Sequence, residues 1–363
     1  MLFPPIDPNQ RFRQRRTAAR RRKRLQRSAL ISVLLAIVAL LGVGAQFVSG
    51  GPDKPGAAGA DAATLAQTDG QGPRPLPVEI RGVHVTLGLA SLPGKLAQYA
   101  DLEREGLTAI ELDVKDENGE VGFSSSALPL TRKVGAARSF YSAKEVAELV
   151  HDRGLYLIGR VVVFEDPVLA HARPELAVRR NDGSVWEDGA GLAWTNPYDR
   201  RVWDYNVDIA EVAAKSGFDE IMFDYVRFPS DGDVESTVYA NQRNLERRDA
   251  IPAFIRYASQ RLDPLGVRVS AAVFGLSAVR DLGIGQTPKR MAPYLHTVYA
   301  MTYPSLFGPG ELGIADPSAA PGATVARALK RFRSAIRGTD ALLVAWVQDW
   351  TFSRPYGVDE VRA

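Results

Sequence analysis

From position 78 onward the chain repeats one pattern: a short run of apolar and β-branched residues, then a longer amphipathic stretch, often closed by a glycine. The apolar runs at 81–87, 109–115, 156–164, 220–228, 267–274, 297–303 and 342–350 predict seven strands. Between them, helical spacing predicts helices at 92–105, 143–153, 201–216, 241–262, 287–292 and 324–336, the second opened by a capping box of Ser142 and Glu145. Gly106, Gly154, Gly217 and Gly266 each fall between a helix and the next strand, where a left-handed cap is needed. Strand, helix, glycine, strand is the rhythm of a parallel α/β fold. A closed barrel takes eight such units. The pattern therefore predicts a TIM (β/α)8-type barrel lacking its eighth β/α unit, because the chain stops at the start of a seventh helix, 358–363. A C-terminally truncated domain is the expectation, with irregular closure or a miscounted strand as alternatives.

The first 77 residues follow another pattern. Ten Lys or Arg and no acid lie between positions 11 and 27, and the 20 residues 29–48 carry no charge. A helix of that length rises ~30 Å, about one hydrocarbon thickness, and its basic flank stays inside. The expected organisation is a basic cytoplasmic tail (1–28), a transmembrane signal anchor (29–48), a disordered linker (49–77) and an extracellular domain (78–363). Secretion after cleavage near Val43-Gly44-Ala45 is the alternative.

The formal charge of +3 hides an acidic domain, since residues 28–363 hold 35 Lys and Arg against 41 Asp and Glu. That balance argues against nucleic acid as a partner. Cysteine is absent, which excludes thiol nucleophiles and Cys-ligated zinc. No His-Glu-x-x-His spacing or phosphate-binding glycine loop occurs, so neither a metal nor an organic cofactor is expected.

Candidate chemistry concentrates where strand 220–228 ends in Asp224, Tyr225 and Arg227 before Pro229. The C-terminal rim of a parallel barrel carries catalysis, although Asp224 and Arg227 also fit a structural ion pair. Acids at other strand ends are Asp113 and Asp116 beside Lys115, Glu165, and Asp349. Aromatic residues at the same rim, Trp186, Trp194, Tyr198, Tyr225, Tyr303, Trp346 and Trp350, offer flat faces for sugar rings or plain packing. His84 is placed to face the site, whereas His151, His171 and His296 read as surface or packing residues.

Six separated motifs then carry a resemblance: Asp113-Val-Lys-Asp-Glu117, Trp194-Thr-Asn-Pro-Tyr198, Gly217 through Pro229, Val273-Phe-Gly275, Met301-Thr-Tyr-Pro-Ser305 and Trp346-Val-Gln-Asp349. In this order they resemble a bacterial family of predicted glycoside hydrolases, formerly a domain of unknown function, set distantly beside the α-amylase barrels. The resemblance covers residues 78–363 and implies a (β/α)8 barrel acting on a polysaccharide. It makes Asp224 the nucleophile of a retaining reaction, which Arg227 would hold ionised, and implies a proton donor after strand five, where 271–275 carry no acid. By position Asp349, at the end of strand seven across the barrel, and then Glu165, after strand three, are the substitutes. Asp113, Lys115, Asp116, Trp194, Asn196, Tyr225, Arg227, Tyr303 and Trp346 become the candidate substrate contacts. Two positions depart from the family pattern: Ala272 and Val273 stand where an Asp precedes the fifth strand's Phe-Gly, and Leu306 where a His follows Tyr-Pro-Ser. The strand-four run is also similar to that of substrate-assisted chitinases, but their catalytic Glu falls on Val226, which argues against that mechanism. The expected function is a membrane-tethered extracellular glycoside hydrolase. The rival expectation is a non-catalytic carbohydrate-binding surface protein on a degenerate barrel.

Overall fold

The computed structural model describes residues 74–363 apart from positions 241, 243, 244 and 353. The basic tail, the anchor expected at 29–48 and all but the end of the linker expected at 49–77 lie outside the described residues. Among those described, no helix is long and apolar enough to cross a membrane.

Seven parallel strands form one sheet in sequential order: β1 (Gly82–Val85), β2 (Ala109–Lys115), β3 (Tyr156–Val162), β4 (Glu220–Asp224), β5 (Arg268–Phe274), β6 (Thr297–Met301) and β7 (Leu342–Trp346). Every expected strand is present. No ladder joins β1 to β7 among the described residues, so the sheet has the order of a parallel barrel left open at one seam. The long helices are α1 (Ala143–His151), α2 (Arg200–Lys215), α3 (Arg247–Leu262) and α4 (Pro321–Ala335). Ser142 caps α1 as expected, accepting from Glu145 N at 3.4 Å.

Several expected boundaries move, with the helix expected at 241–262 beginning at Arg247 and the strand expected at 342–350 ending at Trp346, and two of the shifts have plain local causes. The helix expected at 92–105 is broken by Pro93 and by Gly94, whose φ of 71° is left-handed, leaving Lys95–Ala100 and a tight turn at Asp101–Glu105. The strand expected at 220–228 stops at Asp224, because Tyr225 has φ 48° and takes the chain out of the ladder.

Period-two alternation sorts the strand residues into two layers. Ala109, Tyr156, Ile158, Met222, Ala272 and Tyr299 pack inside the barrel. Ile110, Leu112, Leu157, Val161, Ile221 and Phe223 pack outward against helices, in the larger core. Glu111, Asp113, Arg160 and Asp224 occupy the inward parity, so the interior turns polar toward the strand ends.

Strict alternation would put Lys115 beside Asp113. The structure corrects this expectation, because the β2–β3 register shifts between Asp113 and Lys115. One extra residue turns the next side chain to the other face. The ammonium of Lys115 is consequently buried on the helix side, 2.7 Å from Asp166 Oδ2 and donating to Asn206 Oδ1 at 2.9 Å and Val162 O at 2.7 Å. Burial lowers its pKa, with Asp166 opposing. Asp166 also accepts from Leu169 N at 2.8 Å to start the helix Pro167–Ala172. Lys115 is a strut between β2, β3 and α2, not a substrate contact. Lys115→Met leaves Asp166 buried without its cation and is expected to lower unfolding free energy by about 3–5 kcal/mol. Urea unfolding measures it, and an unchanged midpoint would contradict the strut.

Candidate active site

The C-terminal mouth of the sheet is organised by one guanidinium. Arg160, inward on β3, donates from Nη1 to Asp113 Oδ1 at 2.7 Å, and from Nε and Nη2 to Asp224 Oδ2 at 2.9 and 2.7 Å. Glu117 Oε2 lies 3.7 Å from the same Nη1. The second oxygen of Asp224 accepts from the backbone N of Tyr225 at 2.7 Å, a bond that the left-handed turn at Tyr225 makes possible. His84 Nε2, on β1, lies 2.8 Å from Asp113 Oδ1. The carboxylates of Asp113 and Asp224 are thus held side by side through one shared guanidinium.

The electrostatics divide these acids. Burial works against the charge of Asp113, but the pull of Arg160 and His84, with a hydrogen bond from each, takes its carboxyl down to about 2. Arg160 in turn is buried, yet the surrounding carboxylates raise its pKa. His84 is raised as well: burial lowers it, and the adjacent Asp113 more than compensates. Glu111 goes the other way. It is 5% exposed, its Oε1 has no hydrogen-bond partner, and its nearest cation, His84 Nε2, is 4.0 Å away. Burial pushes it up to about 7, Asp113 and Asp224 adding to the rise while His84 and Arg160 oppose it. The mouth therefore holds carboxylates tied to a guanidinium beside a carboxyl that keeps its proton near neutral pH.

An aromatic file borders the group. Trp346 stacks on His84 with ring centroids 6.2 Å apart and on Tyr303 at 6.3 Å, and Trp350 meets Tyr303 edge-on at 4.7 Å. Burial and the charge of Asp224 raise the phenol of Tyr303, so it remains a hydrogen-bond donor.

Of the residues expected at the site, Asp113, Asp224, Tyr225, Tyr303 and Trp346 come together. Arg227 does not play the part expected of it: the cation on Asp224 is Arg160, while Arg227 is buried between Trp194 and Phe274, 4.8 and 4.7 Å from their ring centroids. Its Nη1 donates to Phe228 O and Ser230 Oγ, each at 3.1 Å, so it braces the turn behind Tyr225. Trp194 has no exposed surface and donates to Asp188 Oδ2 at 3.1 Å. Asn196 is also buried, donating to Ala240 O at 2.6 Å and accepting from Tyr198 N at 3.0 Å. Both build the loop rather than present a surface to a ligand. Asp116 accepts from the N of Asn118 and of Glu120 at 2.9 and 3.0 Å, and burial followed by the charge of Glu117 pushes it up to about 6. Asp349 is exposed beside Trp350, and Glu165 is buried beyond the end of β3. Arg160, Glu111 and Glu117 were not singled out from sequence. For Arg160 and Glu111 the signal was present, since a charge inside an apolar strand is buried only at a cost.

The family model described as "Putative glycosyl hydrolase domain" matches residues 82–363. Among solved structures, a hypothetical protein from Ruminiclostridium thermocellum ATCC 27405 is 37% identical with a TM-score of 0.48, over 52% of this chain and 96% of that one. The glycoside hydrolase domain of PgaB (BpsB) from Bordetella bronchiseptica is 15% identical with a TM-score of 0.50, over 69% of this chain and 81% of that one, a likeness of fold. A GH20 exo β-N-acetylglucosaminidase from Vibrio harveyi is 12% identical with a TM-score of 0.48; 77% of this chain is covered, but only 45% of that one. No curated protein matches. With the family model covering the whole sheet and the Arg160 cluster, the chain belongs to the family of putative glycosyl hydrolase domains.

Proposed function

We propose that this chain is a membrane-tethered extracellular glycoside hydrolase that cleaves a polysaccharide through carboxyl groups on β4 and β2. The observation that carries this reading is the split ionisation at the mouth: Arg160 binds Asp224 and Asp113, while Glu111 holds its proton up to about pH 7. Glycoside cleavage by two carboxyl groups needs this division of labour. The carboxylate of Asp224 bonds to the anomeric carbon as the glycosidic oxygen departs with the proton of Glu111. Glu111, now a carboxylate, takes a proton from water, whose oxygen displaces Asp224 and restores the starting state with retention. Asp349 and Glu165 stand as alternative donors, Asp349 because it is exposed next to the aromatic file. A purely sugar-binding role is the second reading, favoured by Ala272 and Phe274 at the end of β5, where no acid stands.

Asp224→Asn is expected to lower hydrolysis of a polysaccharide roughly a thousandfold or more while sugar binding stays within a fewfold, because the change removes charge and keeps shape. Turnover equal to wild type would place the nucleophile elsewhere, and no turnover by either protein on any polysaccharide tried would favour the binder.

Glu111 also predicts a pH dependence of folding. Its folded pKa of about 7 exceeds its ordinary 4.5, so the protonated group's contribution is complete below 4.5 and is lost as pH rises toward 7. The loss amounts to about 3 kcal/mol. Glu111→Gln removes this slope, and denaturant unfolding between those pH values compares the two proteins. In kcat/KM the same substitution is expected to abolish the fall near pH 7; an unaltered profile would pass the donor role to Asp349 or Glu165.

The tether is tested by removing residues 1–50. The remaining domain is expected to stay in the supernatant after membrane sedimentation, since the basic flank and apolar run are gone. Sedimentation with membranes would overturn it.

A further inference from the structure

A concentrated positive surface of the described domain lies far along the chain from the carboxylates. Residues 317–339 contain four Arg and one Lys and no acid, in a domain whose balance is negative. These residues, Arg327, Lys330, Arg331, Arg333 and Arg337, line a groove of 550 Å³ closed on its other side by Leu312. All five are exposed. No ion pair engages any of them among the described residues, and the nearest acid in sequence on the facing loop, Glu311, is already bound to Arg280 at 2.6 Å and Gly308 N at 2.7 Å. A solvated helix face usually mixes both signs. Here like charges at three- and four-residue spacing repel along one face without relief, a cost that a bound anion removes.

The groove is also built rather than incidental. Arg327 donates to the carbonyls of Leu312 and Gly313 at 3.0 and 2.9 Å, fixing the loop that forms the far wall, and Leu312 itself has a left-handed φ of 55°. From Arg327 to its end at Ala335 the helix rises ~12 Å, with Arg337 in the turn beyond, a length of a few sugar residues. Four of the five cations are arginines, whose planar fork matches carboxylate and phosphate oxygens. A recess with a single apolar residue, Leu312, suits an extended polymer better than the flat face of a membrane, which rewards inserted apolar side chains.

From these observations we infer that the α4 groove binds an anionic polysaccharide strand carrying carboxylate or phosphodiester groups, and that the substrate of the proposed hydrolase is of this class. The inference rests on the glycoside hydrolase reading for the word substrate alone; the binding itself stands without it.

The test uses the full-length protein in phosphatidylcholine nanodiscs free of detergent. Phenylglyoxal modification of Arg331, Arg333 and Arg337, mapped by mass spectrometry, is followed with polygalacturonate, poly(glycerol phosphate), neutral dextran or phosphatidylglycerol vesicles. Protection by polygalacturonate identifies carboxylate as the recognised group, and protection by poly(glycerol phosphate) identifies phosphodiester. Dextran should give no protection. The quadruple substitution Lys330→Gln, Arg331→Gln, Arg333→Gln, Arg337→Gln, which spares the structural Arg327, is expected to weaken binding of the protecting polymer about thirtyfold, the product of four exposed charge contacts. Unprotected arginines with both polymers, or protection by the vesicles alone, would overturn the inference. Asp224→Asn should leave the protection intact, so failure of the groove and failure of the catalytic reading are seen separately.

Discussion

Placing several carboxyl groups inside a barrel is expensive, because each ionised group gives up water worth several kcal/mol and repels the others. Arg160 is what makes the arrangement tenable here. It reaches Asp113 on β2 and Asp224 on β4 from the strand between them, so one cation serves two anions and fixes three strands at the mouth. His84 adds a second positive group against Asp113. Glu111 is reached by neither through a hydrogen bond, and its carboxyl responds as a buried acid must, by holding a proton to about 7. The division into charged and neutral carboxyls thus follows from counting cations and needs no dedicated device. Gly159 contributes beside it: a Cβ there would meet the ring of Phe218 at 2.7 Å, so glycine lets α2's following segment close on β3 next to Arg160.

The open seam bears on the same group. β1 and β7 share no backbone ladder among the described residues, yet Trp346 of β7 stacks against His84 of β1 and continues to Tyr303 and Trp350. Side-chain stacking therefore spans the place where a barrel usually has hydrogen bonds. Its faces remain partly open, which suits sugar rings, whose apolar faces and polar edges match aromatic planes.

Much of the fold was legible because a parallel strand buried on both faces writes a continuous apolar run, and all seven runs became strands. Element ends were less so. Pro93-Gly94 and the turn at Tyr225 act through backbone geometry, which alternation does not record. At the site, Asp224, Asp113, Tyr303 and Trp346 were found as rim residues, a matter of position along a strand. Lys115 was misplaced by a one-residue bulge, and Trp194, Asn196 and Arg227 by burial in a loop layer that sequence spacing cannot see. Arg160 and Glu111 were passed over because they sit within strands rather than at their ends. Their lone charges among apolar neighbours were the available signal.

The acids of β2 and β4 also act on each other across β3 in the proposed chemistry. Asp224 helps to hold the carboxyl of Glu111 up, by charge repulsion added to burial. When Asp224 forms a bond to sugar, its negative charge is gone and that contribution vanishes. In the proposed mechanism the loss of this smaller contribution lowers the proton affinity of Glu111 as it turns from acid to base. Hydrolysis of the intermediate restores the charge on Asp224 and with it the proton affinity of Glu111. Burial, His84, Arg160 and Asp113 act on Glu111 in both states, and only the smaller contribution of Asp224 switches.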